Sequence, residues 1–221
     1  MCIIGLKTNM NNSPQERKKR EIAMRKAGRL PPGQVLTDKF PVLHFGSIPA
    51  FDVSTWSLRI WGEVEEPVEI SWQEFLELPR TKALFDIHCV TRWSKFDTNW
   101  EGVRFHTLID KGLVKLKQSA KYILQHAENE YTANLPLEIL GAETFLLATH
   151  FEGEPLTPEH GYPLRGLVGA IPDRKDLKDV YLWKGAKWLR GLEILPNDQK
   201  GFWELAGYHN EGDVWKEERT A

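Results

Sequence analysis

Cysteine is nearly missing from this chain of 221 residues: Cys2 and Cys89 are the whole complement. Two thiols cannot build the paired framework of a small secreted domain, so a reducing compartment is expected. There is no CxxC and no HxxxH, which leaves no local zinc site of the usual four-ligand kind. Long apolar runs are also missing. None approaches the ~18 residues of a membrane-spanning helix, and the opening MCIIGLKTNM has no basic leader before it and no cleavage-like site after it. Lys19-Arg20 is followed by the charged EIAMRKAGR rather than an apolar core, which argues against a twin-arginine export signal. A cytoplasmic location is the expectation. Excess charge of one sign is absent too: the net charge of −2 gives no electrostatic case for nucleic acid or an anionic membrane.

What is present is an ordinary globular composition with a high count of nine tryptophans, residues that fill cores as readily as they line pockets. Residues 1–34 read as a polar, basic arm, with two turns of helix around PQERKKREIAMRKAG stopped at Gly28 and Pro31. Glu16 and Glu21 dilute its charge, which favours an arm packed on the domain over a docking arm for an acidic partner or RNA. Residues 35–221 read as one domain. TWSLRIWGEV alternates with period two and places Trp56, Leu58 and Ile60 on one face. VEISWQEFLELPR is a strand and a short helix capped by Ser71 with Glu74. TKALFDIHCV is a strand that delivers Cys89 at its end, and FHTLIDKGLV is a helical turn closed by Gly112. AKYILQHA, FLLATHFEGEPL, LRGLV and KWLRGLEIL are further strand candidates, with ENEYTANLPLEIL as loop and short helix. Short strands mixed with short helices, without repeats, predict an α+β fold.

Cys89 lies between His88 and Val90, with Trp93 and Trp100 behind it. In a strand His88 and Cys89 face opposite ways and would not share a metal. A lone thiol is usually plain packing. The alternatives are a nucleophile paired with a distant histidine, which would make a thiol hydrolase, or a soft ligand to a metal whose other ligands come from a cofactor. Downstream, EHGYPLRGLV and WKGAKWLRGLEI set His160, Arg165 and Lys187 among glycines and Ala186, a pattern suited to close approach and binding of phosphate oxygens.

The C-V-x-x-W segment at Cys89, HGYPLR at 160–165 and KGAKW at 184–188 together resemble the sulfite oxidase-like molybdopterin oxidoreductases. SIPAFDVSTWSLRIWGEV resembles the entrance to their molybdopterin-binding domain, so the likeness spans 35–195. It is similar in particular to short bacterial sulfite oxidase-like proteins and to the catalytic subunit of the periplasmic methionine sulfoxide reductase. The resemblance implies a single sulfite oxidase-type domain, molybdopterin and molybdenum as cofactors, and Cys89 as the protein thiolate on the metal. It implies pterin contacts at Leu43 and His44, at His126 or Ala127, and at His160, which stands where the sulfoxide reductase has an asparagine. Arg165, Gly185, Ala186 and Lys187 fall where the family holds the cofactor phosphate.

Departures shape the substrate. Sulfite oxidases carry a CAGNRR-like run after the cysteine; here CVTRWSKFD offers Arg92 as the one close arginine, with Trp93 and Lys95 beside it at the expected mouth. That favours reduction of a small sulfoxide or N-oxide, with Trp93 and Trp100 as an apolar wall, over sulfite-type oxidation or a non-catalytic redox module. No counterpart of the family's dimerisation or haem domain is recognised, which implies a monomer working with a small-molecule substrate and a separate electron donor or acceptor protein. GLVGAIPDRKDLKDVYL, at 166–182, is longer than the family leads one to expect and reads as a cover for the cofactor or a surface extension.

Overall fold

A computed structural model describes residues 13–172, 174, 177 and 180–221. Cys2, the opening apolar run and the middle of the 166–182 segment lie outside the described residues. The chain starts with α1 (Pro14–Lys26), whose first turn is closed by a capping box between Ser13 and Glu16. The helix has thirteen residues rather than two turns and buries none of them, so local capping and charge sustain it. It breaks where Gly28 takes φ 67, and the chain then enters the body: Leu30 and Leu36 are buried, and β1 (Val35–Leu36) joins a sheet.

Next come β2 (Ser57–Gly62), β3 (Val68–Ser71) and α2 (Trp72–Leu76). Trp56, Leu58 and Ile60 point inward as their alternation requires. Ser71 Oγ accepts the Glu74 N–H, the Glu74 carboxylate accepts the Ser71 N–H, and the helix so started drives Phe75 into the core near Trp56. Burial of such a ring contributes about 1.5–3 kcal/mol. Then follow β4 (Thr81–His88), β5 (Trp93–Val103), α3 (Phe105–Asp110), β6 (Tyr122–Ala127), β7 (Thr132–Pro136) and α4 (Leu137–Gly141). The last elements are β8 (Phe145–Phe151), β9 (Glu154–Pro155), β10 (Arg165–Val168), β11 (Leu189–Leu195) and α5 (Phe202–Leu205). Two strands depart from the sequence reading. β5 runs through a stretch that the sequence reading assigned to no element, and β7 occupies the TANLP expected as loop.

Among the described residues the strands make two sheets. In one, β5 is the spine: β4 and β8 pair with it antiparallel and β1 pairs parallel at its start, while β10 and β9 extend from β8. The other has the order β3-β2-β11-β6-β7, with β11 parallel to β2 and antiparallel to β6. The main core lies between the sheets, joining Leu58, Ile60, Leu192 and Ile194 to Val103, Phe105, Phe145 and Leu147. A second apolar cluster, around Phe85, Trp100, Leu146 and Leu167, packs beneath Phe40, Trp93 and Phe151. The 166–182 segment is partly structured: β10 begins it, Ala170 exchanges both backbone hydrogen bonds with Asp86, and Val180, Tyr181 and Leu182 are buried at its end.

Candidate active site

Strand β4 ends in a tight turn. The Arg92 N–H donates to the Cys89 carbonyl at 3.0 Å, and the Cys89 N–H donates to the Trp93 carbonyl at 2.9 Å as β5 begins. Arg92 closes the turn at φ 73, a left-handed conformation that costs a residue with a side chain. The Cys89 thiol, half-buried, accepts from Thr91 Oγ1 at 3.2 Å and faces a cavity of about 360 Å³. Its neighbour His88 is held by Ser94 Oγ at 2.8 Å; burial first, and then the Arg29 charge, push the imidazole down to about 3. His88 is therefore neutral at pH 7. Among the described residues no three His, Cys, Asp or Glu side chains gather to hold a metal ion.

The opposite wall comes from the start of β10 and the loop before β11. Arg165 is buried; one Nη donates to the His160 carbonyl at 3.0 Å, while its Nε has no partner among the described residues. Burial lowers this guanidinium to about 10. Lys187 Nζ donates to the Glu159 carbonyl at 2.6 Å, and burial, then the Arg165 charge, bring it down to about 7. Between Lys184 and Lys187 the backbone is pinned from below. Gln125 Oε1 accepts the Ala186 N–H at 3.2 Å, and Gln125 Nε2 donates to the Lys184 carbonyl at 2.8 Å. Gly185 fits here because a Cβ would strike the Gly166 carbonyl oxygen. Lys184 itself points away into the protein, where it meets Glu204 at 3.3 Å and Asn134 at 2.5 Å.

The remaining walls are aromatic. His44 bonds the Gly46 carbonyl at 3.0 Å and meets Trp188 edge-on. Leu43, Trp93, Tyr131, Trp203 and Tyr208 also line it. The Tyr131 hydroxyl is raised above its ordinary range by burial, so it keeps its proton at any ordinary pH.

Leu43, His44, Cys89, Arg165, Gly185 and Lys187 therefore meet around one cavity. Seven other expected residues do not line it. Arg92 is exposed on the outer side of its turn, beside Gly33. His126 faces the outside of its sheet, bonded to Glu193 at 2.8 Å and packed on Trp61, because one step of strand register exchanges it with Gln125. Ala127 ends β6 with its N–H on the Tyr131 carbonyl. His160 stacks on Phe40 and supports Arg165 from behind through its carbonyl. Ala186 is buried, its N–H spent on Gln125. Lys95 reaches the Asp38 carbonyl instead of the mouth, and Trp100 is sealed in the second core rather than forming a cavity wall. Tyr131, Trp203 and Tyr208 were missed by sequence reasoning. The one available signal was an aromatic isolated among polar neighbours, as in ENEYT.

Comparison with known proteins gives a consistent picture. A family model described as "Oxidoreductase molybdopterin binding domain" matches residues 45–203. The "Uncharacterized oxidoreductase YuiH" of Bacillus subtilis is 45% identical over 194 residues, which cover 87% of this chain and 92% of that protein. The catalytic subunit of the protein-methionine-sulfoxide reductase of Campylobacter jejuni is 23% identical over 171 residues, 70% of this chain but only 54% of that one. Among solved structures, the sulfane dehydrogenase SoxCD from Paracoccus pantotrophus matches with a TM-score of 0.57 at 21% identity, over 70% of this chain and 41% of that chain. That likeness shows a shared fold.

Proposed function

Because this chain belongs to the oxidoreductase molybdopterin-binding domain family, we propose that it is a molybdenum oxotransferase with Cys89 as the protein's thiolate ligand, reducing a small neutral sulfoxide or N-oxide. Membership makes it an oxidoreductase that uses molybdopterin and molybdenum. One observation carries the finer reading. Arg165, which is buried, and Lys187, which is half-buried, share a cavity with the thiol, and among the described residues no carboxylate pairs with either. Unpaired buried charge is costly, so the wall is built for an anion. Arg165 Nε and Trp93 Nε1, both on residues of the lining, are buried donors without partners among the described residues. Phosphate oxygens would satisfy such donors, Gly185 permits close approach, and a thiolate suits a soft metal. The residues fit the cofactor.

When bound, molybdenum supplies two-electron oxygen-atom transfer, which no side chain of the cavity can provide. The chain's own work is different. Arg165 and Lys187 hold the phosphate end, and Tyr131 keeps a proton to donate to a substrate oxygen. The tryptophans and tyrosines exclude water and accept an apolar substituent. Once Arg165 and Lys187 are engaged, the lining keeps no further Lys or Arg, since Arg92 and Lys95 point elsewhere. That disfavours dianionic sulfite and favours a neutral oxide. We further read residues 1–34 as an arm on a domain of 35–221, and the protein as a cytoplasmic monomer fed by a separate electron-transfer protein. The two-cysteine composition supports the compartment.

Elemental analysis of the purified protein, followed by dye-linked assays of oxide reduction and sulfite oxidation on one preparation, tests this. Molybdenum with faster oxide reduction is expected. Absence of molybdenum with a reactive Cys89 would instead make the protein a thiol hydrolase, and brisk sulfite oxidation alone would restore the sulfite-type oxidase.

A further inference from the structure

The family match begins at residue 45, yet the Cys89 turn is also held from ahead of that point. Gln34 is buried. Its Nε2 donates to the Cys89 carbonyl at 3.1 Å, the same oxygen that closes the turn by accepting the Arg92 N–H. Its Oε1 accepts from Ser94 Oγ at 3.3 Å, and Ser94 Oγ in turn meets His88 Nδ1 at 2.8 Å. One amide thus ties together the residue before the thiol, the cysteine's own carbonyl and the start of β5. The neighbouring backbone adds to this. The Val35 N–H donates to the Arg92 carbonyl at 3.0 Å and the Thr37 N–H to the Ser94 carbonyl at 2.9 Å. Upstream, Arg29 grips Asp86 with two bonds of 2.9 and 2.7 Å, three residues before Cys89, so the segment is anchored before it reaches the turn.

We infer that Gln34, contributed from outside the family domain, is a positioning residue that fixes the backbone of the Cys89 turn and so sets where the thiol points. A turn with a left-handed residue at its corner is poorly held by local preference, and needs outside bonds to stay in one conformation. Without the Gln34 amide the Arg92 N–H still closes the turn, but its outer anchor is gone. Both the carbonyl and Ser94 lose a buried partner, and the thiol gains freedom to move.

The inference rests on the Cys89 ligand reading only in its metal-loaded form, so two measurements separate the claims. The first uses cofactor-free protein with Cys2→Ser, and follows alkylation of Cys89 by iodoacetamide in wild type, Gln34→Met and Ser94→Ala. Loss of one hydrogen bond should speed alkylation about threefold to tenfold in Gln34→Met, with a smaller change in the same direction for Ser94→Ala. A merely structural glutamine would lower Tm and leave both rates at the wild-type value, and that result overturns the inference. The second compares the electron paramagnetic resonance of the one-electron-reduced metal at equal molybdenum content. A shifted signal in Gln34→Met is expected, with Cys89→Ser as the reference for loss of the ligand. Should Cys89→Ser leave the signal unchanged, the ligand reading falls while faster alkylation still upholds the positioning role. Should Cys89→Ser change it and Gln34→Met alter neither rate nor signal, the positioning role falls and the ligand reading stands.

Discussion

Arg165 and Lys187 stand in one cavity wall, each donating to a backbone carbonyl and, among the described residues, to no carboxylate; burial first, and then the charge of Arg165, lowers the proton affinity of Lys187. Such a pair destabilises an empty site and strengthens its hold on an anion. A charged hydrogen bond lost there costs about 1.5–3 kcal/mol, roughly ten- to a hundredfold in affinity. Arg165→Ala and Lys187→Ala should each purify with less molybdenum, and the double variant with almost none, while circular dichroism stays native. Full metal content in the double variant would show that the two cations hold no cofactor.

The same crowding gives a pH signature in cofactor-free protein. Lys187 lies near 7 when folded, against about 10.4 for an ordinary lysine in an unfolded chain. Between those values the unfolded chain binds more protons, so the contribution of Lys187 to stability improves as pH rises. The cost of charging it is fully present below pH 7 and is relieved as pH climbs through that window. Chemical denaturation of wild type and Lys187→Met at several pH values should give a difference that shrinks from pH 7 to 9.5. A difference independent of pH would show that Lys187 titrates normally.

Cys89→Ser is expected to abolish turnover and leave the fold intact, because an alkoxide is a harder and less polarisable ligand than a thiolate. Turnover and metal content, measured together, check this. Near-normal activity with molybdenum still bound would remove the thiolate from the reading.

Lys184 and Glu204 form an ion pair with both side chains essentially buried. Lys184→Met leaves the carboxylate unpaired and should cost about 3–5 kcal/mol in urea denaturation. Lys184→Met combined with Glu204→Gln should recover part of that loss. Equal loss in single and double variants would show that packing, not charge, dominates there.

Local signals in the sequence were strong where the physics is local. The Ser71–Glu74 capping box and the alternation through Trp56, Leu58 and Ile60 need only neighbours a few residues away, and both form as read. Strand β5 was hidden because its ladder is irregular: Asp97 takes φ 54 and the register with β4 shifts opposite it. β7 was hidden because both its faces are buried: Leu135 enters the core, and Asn134 beside it is a polar side chain made acceptable by Lys184 and Asn210, which are remote in sequence. The same distinction governs the site. Gly185 and Lys187 sit in one short motif, and both lie on the cavity. His126 depended on strand register, and there Gln125 took the inward place. The aromatic lining from Tyr131 and Tyr208 comes from separate loops, so no spacing announces it.

The lining runs from Phe40 to Tyr208, nearly the whole length of the chain. That span has a consequence for biosynthesis. At about 5–20 residues per second, a ribosome needs on the order of ten to thirty seconds to pass from the first wall residue to the last. Within that interval the thiol is made first and the two basic residues only near its end, and none of them is yet enclosed. The pocket is complete only once the C-terminal aromatics have emerged, so loading of the cofactor follows release of the chain and cannot guide its early folding. The nascent protein must become compact before any anion answers Arg165, and burial eases the repulsion by letting Lys187 shed its proton.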